Sequence, residues 1–229
     1  MITEANMGFN IAIDGPAGAG KSTIAKMISK KLDFIYVDTG AMYRALALYF
    51  IRNQIKSDEE EKISKVLADA DVTITYANGM QQVMLNGENV TPLIRSEEVG
   101  KMASESSVYQ SVRTKLLDLQ RNMAKTADVV MDGRDIGTFV LPNADFKIYL
   151  TASVKERAKR RFLELKEKGS NCELSQIERD IKERDLRDMN RDIAPLKQAE
   201  DAVCIDTSSL TIDEVKNRII EIYKNKVKD

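Results

Sequence analysis

Gly15-Pro16-Ala17-Gly18-Ala19-Gly20-Lys21-Ser22-Thr23 fits the spacing G-x-x-x-x-G-K-[ST] and follows the apolar run Phe9-Asn10-Ile11-Ala12-Ile13-Asp14. Glycines let the backbone curl so that successive N–H groups point inward, and Lys21 adds a charge that reaches terminal phosphates. The next helix turns its positive dipole end toward the anion, and the Ser22 hydroxyl is placed for Mg²⁺. A Gly/Ala-rich turn with a solvated lysine would satisfy the same letters, so the flanks decide. In front, Ile11 and Ile13 read as a buried parallel strand; behind, Ile24, Ile28 and Leu32 fall at i, i+4 and i+8 on one helix face. Strand, glycine loop and helix in that order imply a nucleoside triphosphate as ligand.

Working outward, short strand-like runs at 11–14, 34–37, 129–132, 146–150 and 202–206 alternate with helical stretches. That alternation predicts an α/β fold with a five-stranded parallel sheet. Between the second and third runs the texture changes. Val72, Ile74 and Tyr76 alternate, then come Asn78-Gly79, Val83 and Leu85, Asn86-Gly87 and Val90. Asn-Gly pairs favour tight hairpin turns, so 72–90 reads as a small antiparallel meander inserted into the parallel fold. Val112, Leu116, Leu119 and Met123 then mark an amphipathic helix leading back to the core.

Composition narrows the classes. The chain has 229 residues, a net charge of −1 and no histidine, so it lacks a global basic field for nucleic acid and must work without imidazole. Cys172 and Cys204 lie far apart in sequence, which fits a reducing compartment better than a disulfide scaffold. No apolar run approaches the ~18 residues of a membrane span, and Met1-Ile2-Thr3-Glu4-Ala5-Asn6 lacks a signal pattern. The expectation is a cytoplasmic monomer with neither a membrane nor a nucleic-acid partner. The first seven residues read as an extension, with Met7 as an alternative start.

Three further segments carry chemistry. Asp38-Thr39-Gly40-Ala41-Met42-Tyr43-Arg44 follows the second strand, where Asp38 or Thr39 can cap a helix that carries Tyr43 and Arg44. Asp132-Gly133-Arg134-Asp135-Ile136-Gly137-Thr138 crowds two carboxylates and an arginine past another strand end. A basic run includes Arg157, Lys159, Arg160 and Arg161, then Arg184, Arg187, Asp188 and Arg191, the last four spaced i, i+3, i+4, i+7 on a stripe opposite Leu186, Met189 and Ile193. A solvated face with pairs such as Glu183–Arg187 and Arg184–Asp188, each worth ~0.3–0.5 kcal/mol, is the plain alternative. Beside a triphosphate loop, an arginine-rich segment has an evident use in covering phosphates during transfer.

Together with Ile181-Lys182-Glu183-Arg184-Asp185, Asn190-Arg191 and Ala194-Pro195-Leu196, these segments closely resemble bacterial cytidylate kinases, in the family's order from about residue 8 onward. The resemblance implies a P-loop kinase fold with a helical lid and an enlarged monophosphate-binding insert. Its divisions would be a core at 8–71, 128–156 and 196–229, an insert at 72–127 and a lid at 157–195. It implies transfer of the γ-phosphoryl group of ATP to CMP or dCMP, with Mg²⁺ as cofactor. By motif, Gly15 through Thr23, with Arg157 and Arg161, would hold ATP, and Ser22 the metal. Lys21, Arg134, Arg191 and Arg160 would serve the transferred group. Arg44, Arg134 and Arg191 would grip the acceptor phosphate near Asp38, Thr39 and Tyr43. Ser104, Arg113 and Asp135 would read cytosine, with Ser106 and Ser107 as rivals of Ser104 by register, and Arg184 and Asp188 would meet the sugar.

Other readings share parts of this pattern. A kinase for another monophosphate or for shikimate would keep the loop and the lid. A guanine-reading switch would need N-K-x-D, and the string Asn225-Lys226-Val227-Lys228 lacks the aspartate. A nucleotide-binding module without turnover, and a nucleic-acid role resting on the arginines, complete the alternatives.

Overall fold

The computed structural model describes residues 8–167 and 169–228; the N-terminal extension, Met7 and the residues read for a signal pattern lie outside the described residues. Strand β1 (Asn10–Asp14) runs into the glycine loop, and helix α1 (Lys21–Leu32) begins where Gly20 takes a left-handed conformation at φ 88°. Strand β2 (Ile35–Asp38) passes directly into α2 (Thr39–Arg52), because the Asp38 carboxylate accepts the Ala41 N–H at 2.9 Å and caps it.

After α3 (Glu60–Val66), strands β3 (Val72–Ala77), β4 (Met80–Leu85) and β5 (Glu88–Asn89) form the antiparallel meander. Its two turns use the Asn-Gly pairs as expected: Asn78 and Gly79 have φ 53° and 71°, Asn86 and Gly87 49° and 83°. Helices α4 (Glu97–Ser106) and α5 (Gln110–Thr126) lead back to β6 (Val129–Asp132). A π-helical turn over Ile136–Val140 precedes β7 (Phe146–Thr151) and the helix pair α6 (Val154–Glu167) and α7 (Leu174–Asn190). Strand β8 (Val203–Asp206) and helix α8 (Ile212–Lys228) complete the chain. Among the described residues no helix is long and apolar enough to cross a membrane.

The five parallel strands lie in the order β2-β6-β1-β7-β8. Successive side chains on a strand point to opposite faces, and the two faces build separate cores. Ile11, Ile13 and Val130 pack with Ile24 and Ile28 of α1 and Val215 and Ile219 of α8. Ala12, Val129 and Met131 pack with α2 and α5 and with the meander's Val72, Val83 and Leu85. The insert is therefore continuous with the second core. It also covers the outer edge of β2: Asp38 N–H donates to Gln81 Oε1 at 2.8 Å, Gln81 Nε2 donates to Asp38 O at 3.2 Å, and the Tyr76 hydroxyl donates to Tyr36 O at 2.9 Å.

Helix α7 turns its polar stripe inward. Asp185 and Asp188 are buried and Arg184 is half-buried, while Leu186 and Met189 on the other side are 59% and 45% exposed. Arg191 lies just past the helix end as its C-cap rather than on its last turn.

Gly15 marks the tightest approach in the sheet. A Cβ there would lie 1.9 Å from Leu150 O, and φ is 145°. Gly15→Ala is therefore expected to cost about 3 kcal/mol of stability by urea denaturation, the scale of overpacking against rigid backbone. A cost below about 1 kcal/mol would show that β1 and β7 separate easily.

Candidate active site

Three adjacent strands end on buried aspartates at the same edge of the sheet: Asp14 on β1, Asp132 on β6 and Asp38 on β2. In a parallel sheet the carboxyl-terminal edge is where ligands bind. Asp132 accepts the Ser22 hydroxyl at 2.9 Å on one oxygen and the Tyr36 hydroxyl at 2.8 Å on the other. Burial, reinforced by Asp38, pushes its pKa up to about 6. Asp14 accepts the Ile136 and Gly137 N–H groups at 2.8 and 2.7 Å, tying the glycine loop to the turn after β6. Burial outweighs those bonds and pushes its pKa up to about 7.

Around these carboxylates stand more cations than the carboxylates satisfy. Lys21 is buried, donates to Pro16 O at 2.7 Å, and has its pKa held well below the usual lysine value by burial and then by Arg134 and Arg184. Arg184 has a buried Nε with no partner; burial, then Arg134, bring its pKa down to about 10. Arg44 is likewise lowered by burial, with Arg95 and Arg134 adding repulsion and Asp38 opposing. Asp38 is engaged elsewhere: one oxygen caps α2, the other takes Arg95 at 2.7 Å. Among the described residues, Arg134 is the one of these four clustered cations with a carboxylate partner, donating to Asp188 at 2.9 Å. Like charges packed this way make a hole shaped for anions.

Next to the cluster lies a second arrangement. Asp135 accepts from Arg113, and from Arg191 at 3.2 Å. The Arg113 guanidinium rests 5.9 Å from the Tyr43 ring centre and 5.6 Å from that of Phe139. Ser104 is buried and its hydroxyl accepts from Arg187 at 3.0 Å, whereas Ser106 and Ser107 donate back to Met102 O and Ser104 O. The structure thus brings Ser104 against Arg187 of α7 and turns its two rivals back into their own segment. Thr39 donates to Asp132 O at 2.7 Å. Arg191 sits with Asp135 and Ala194 O, beside the Asp135–Arg113 pair rather than in the cation cluster.

The three arginines of α6 go to different places. Arg157 is buried and donates to Ala17 O and Ala152 O, each at 2.9 Å, and to Asp185 at 2.6 Å, so it braces the glycine loop from outside. Arg160 donates to the Thr207 carbonyl at 2.6 Å, and Arg161 reaches Glu97 and Glu164. Sequence reasoning missed Asp14 and Asp185, and gave no role to Tyr36, Gln81, Arg95 or Asp132. The signal that was available is the strand-final aspartate repeated at 14, 38 and 132.

A carboxyl whose folded pKa is raised contributes stability that is fully present below its unfolded pKa of ~3.9 and lost as pH rises through the folded value. For Asp14, with a folded pKa of about 7, that loss begins near pH ~4 and is complete a little above pH 7. The melting temperature of the wild type relative to Asp14→Asn is thus expected to fall between about pH 4 and 7 and to level off above. A gap that stays constant across that window would mean that Asp14 does not titrate there.

With this geometry in view, comparison with known proteins is direct. A family model described as cytidylate kinase matches residues 11–225. A cytidylate kinase of Caldicellulosiruptor saccharolyticus is 55% identical over 214 residues, 93% of this chain and 95% of the relative. One from Lactobacillus johnsonii is 49% identical over 219 residues, 96% and 95% of the two chains. A crystal structure of an uncharacterized protein from Eubacterium ventriosum superposes with a TM-score of 0.51 at 13% identity, covering 93% of this chain and 97% of that one, a likeness of fold alone. Matched across nearly its whole length by the family model and by these relatives, the chain belongs to the cytidylate kinase family.

Proposed function

We propose that the protein transfers the γ-phosphoryl group of ATP to CMP or dCMP, giving ADP and the diphosphate. The observation that carries this reading is the juxtaposition of an under-neutralised cation cluster, Lys21, Arg44, Arg134 and Arg184, with the Asp135–Arg113 pair. The first suits two sets of phosphates and the second suits the edge of a base. Cytosine offers an amine where uracil has a carbonyl, so a buried Asp135 accepts from one and faces an acceptor on the other. An unmatched buried group costs about 1–3 kcal/mol, enough to discriminate.

In this reading Lys21 and the loop N–H groups hold the phosphates of ATP. Ser22 Oγ and the Asp132 carboxylate stand 2.9 Å apart at the head of α1, two hard oxygen donors of the kind Mg²⁺ takes beside phosphate oxygens, and they would hold the ion. When bound, Mg²⁺ neutralises charge on the phosphates. Arg44 and Arg134 grip the acceptor phosphate, and Arg191 joins them once the base amine takes its place on Asp135. Arg184 and Asp188 meet the sugar hydroxyls. A phosphate monoester has its second pKa near ~6, so its oxygen attacks without a general base. The enzyme's work is to hold two polyanions together and in line, an effect worth up to ~7–11 kcal/mol of barrier.

The α6–α7 pair, most of which falls in the lid division at 157–195, closes over the insert at 72–127 and excludes water from the transfer. Arg157 holds the loop throughout, while Arg160 and Arg161 reach the nucleotide only as that pair moves. Free thiols at Cys172 and Cys204 suit a reducing compartment such as the cytoplasm.

A coupled assay of ADP formation, with CMP, dCMP, UMP, AMP, GMP, dTMP and shikimate offered separately, is expected to show turnover with CMP and dCMP. UMP should be poorer by at least about tenfold. Lys21→Ala should lower turnover by about 10²-fold, the scale of losing one donor to a developing charge. A preference for another acceptor would withdraw the cytosine-reading roles, and near-normal turnover in Lys21→Ala would withdraw the phosphate-loop assignment.

A further inference from the structure

Arg187 crosses the cleft from α7 to α4. Its Nη1 donates to Ser104 Oγ at 3.0 Å, and Nη2 stands 3.9 Å from Glu105. Ser104 is 5% exposed, and its hydroxyl is the one in the run Ser104, Ser106, Ser107 that is not spent on a backbone carbonyl of its own segment. The same guanidinium lines a cleft of about 470 Å³ together with Tyr109, Asn190 and Arg191.

A serine hydroxyl by itself selects nothing, since it donates or accepts as its partner requires. A cation donating to its oxygen biases that choice. The hydroxyl proton turns away from the guanidinium and one of the two oxygen lone pairs is taken, so Ser104 favours presenting its O–H as the donor to whatever faces it. We infer that Arg187 is a specificity-setting positioning residue: by fixing the polarity of the Ser104 hydroxyl, it makes the pocket donate to the acceptor nitrogen N3 of cytosine. Uracil carries a hydrogen on that nitrogen, so donor would meet donor in a buried place. Discrimination then rests on two independent edges, Asp135 at the exocyclic group and Arg187 acting through Ser104 at the ring. The inference rests on the acceptor reading given above.

The test is steady-state kinetics with CMP and with UMP on the wild type, Arg187→Met, Arg187→Lys, Ser104→Ala, the double variant Arg187→Met/Ser104→Ala, and Glu105→Gln. Arg187→Met is expected to lower the ratio of kcat/KM for CMP over UMP by about tenfold, the worth of one ordinary hydrogen bond. The loss should appear in KM for CMP, with the KM for ATP unchanged. Arg187→Lys, which keeps a cationic donor, should recover most of the ratio. In the Ser104→Ala background the Arg187 substitution should move the ratio by less than about twofold, as expected of residues acting as a unit. Glu105→Gln should leave it where it was.

An unchanged ratio in Arg187→Met overturns the inference. So does an equal Arg187 effect with and without the Ser104 hydroxyl, or a Glu105→Gln variant that reproduces the loss, which would make Arg187 a strut to Glu105. A wild type that does not favour CMP over UMP sinks the acceptor reading itself, and is distinguished from these outcomes because it is seen before any substitution is made.

Discussion

Buried carboxylates at the ends of three neighbouring strands are what make this site possible. Cations crowded out of water repel by on the order of a few kcal/mol per close pair, and the fold offsets this with Asp14, Asp38 and Asp132 in one row. Each has a separate duty. Asp132 orders Ser22 and Tyr36, Asp38 caps α2 and retains Arg95, and Asp14 secures the turn that carries Arg134 and Asp135. Arg95 and the α2 cap together use both oxygens of Asp38, and Arg44 has no hydrogen-bonded carboxylate among the described residues. The row offsets part of the cluster's charge and leaves the remainder on Lys21, Arg44 and Arg184.

Much of this is legible in the chain itself. The glycine loop, the five strands and the meander turns are set by local chemistry: backbone conformations that glycine and asparagine tolerate, and apolar periodicity that matches one element type. Those features lie within a residue or so of where local pattern puts them. The cluster at 132–138 is visibly charged in the sequence, yet its wiring is not visible there, because Asp132 finds Ser22 and Asp14 finds Ile136 across more than a hundred residues.

Helix α7 shows the limit more sharply. Its pattern of arginines opposite Leu186 and Met189 fits a solvated polar face as well as an inward one, since amphipathicity gives two faces and not their direction. The direction comes from tertiary contacts, Arg134 to Asp188 and Arg157 to Asp185, which local periodicity does not encode. Arg187 belongs to the same stripe, but its significance lies in a hydrogen bond to a serine on another lobe.

The side chains that cover β2 have a consequence of a different kind. An edge strand with free backbone groups is a template on which another chain can add a strand. Here Gln81 and Tyr76, carried by the meander, occupy those groups at Asp38 and Tyr36. Any motion that lifts the meander off the sheet therefore uncovers a strand edge beside the phosphate loop. The small sheet thus guards β2 against pairing with another chain, and a conformation in which it stood off the sheet would carry that exposure for as long as it lasted.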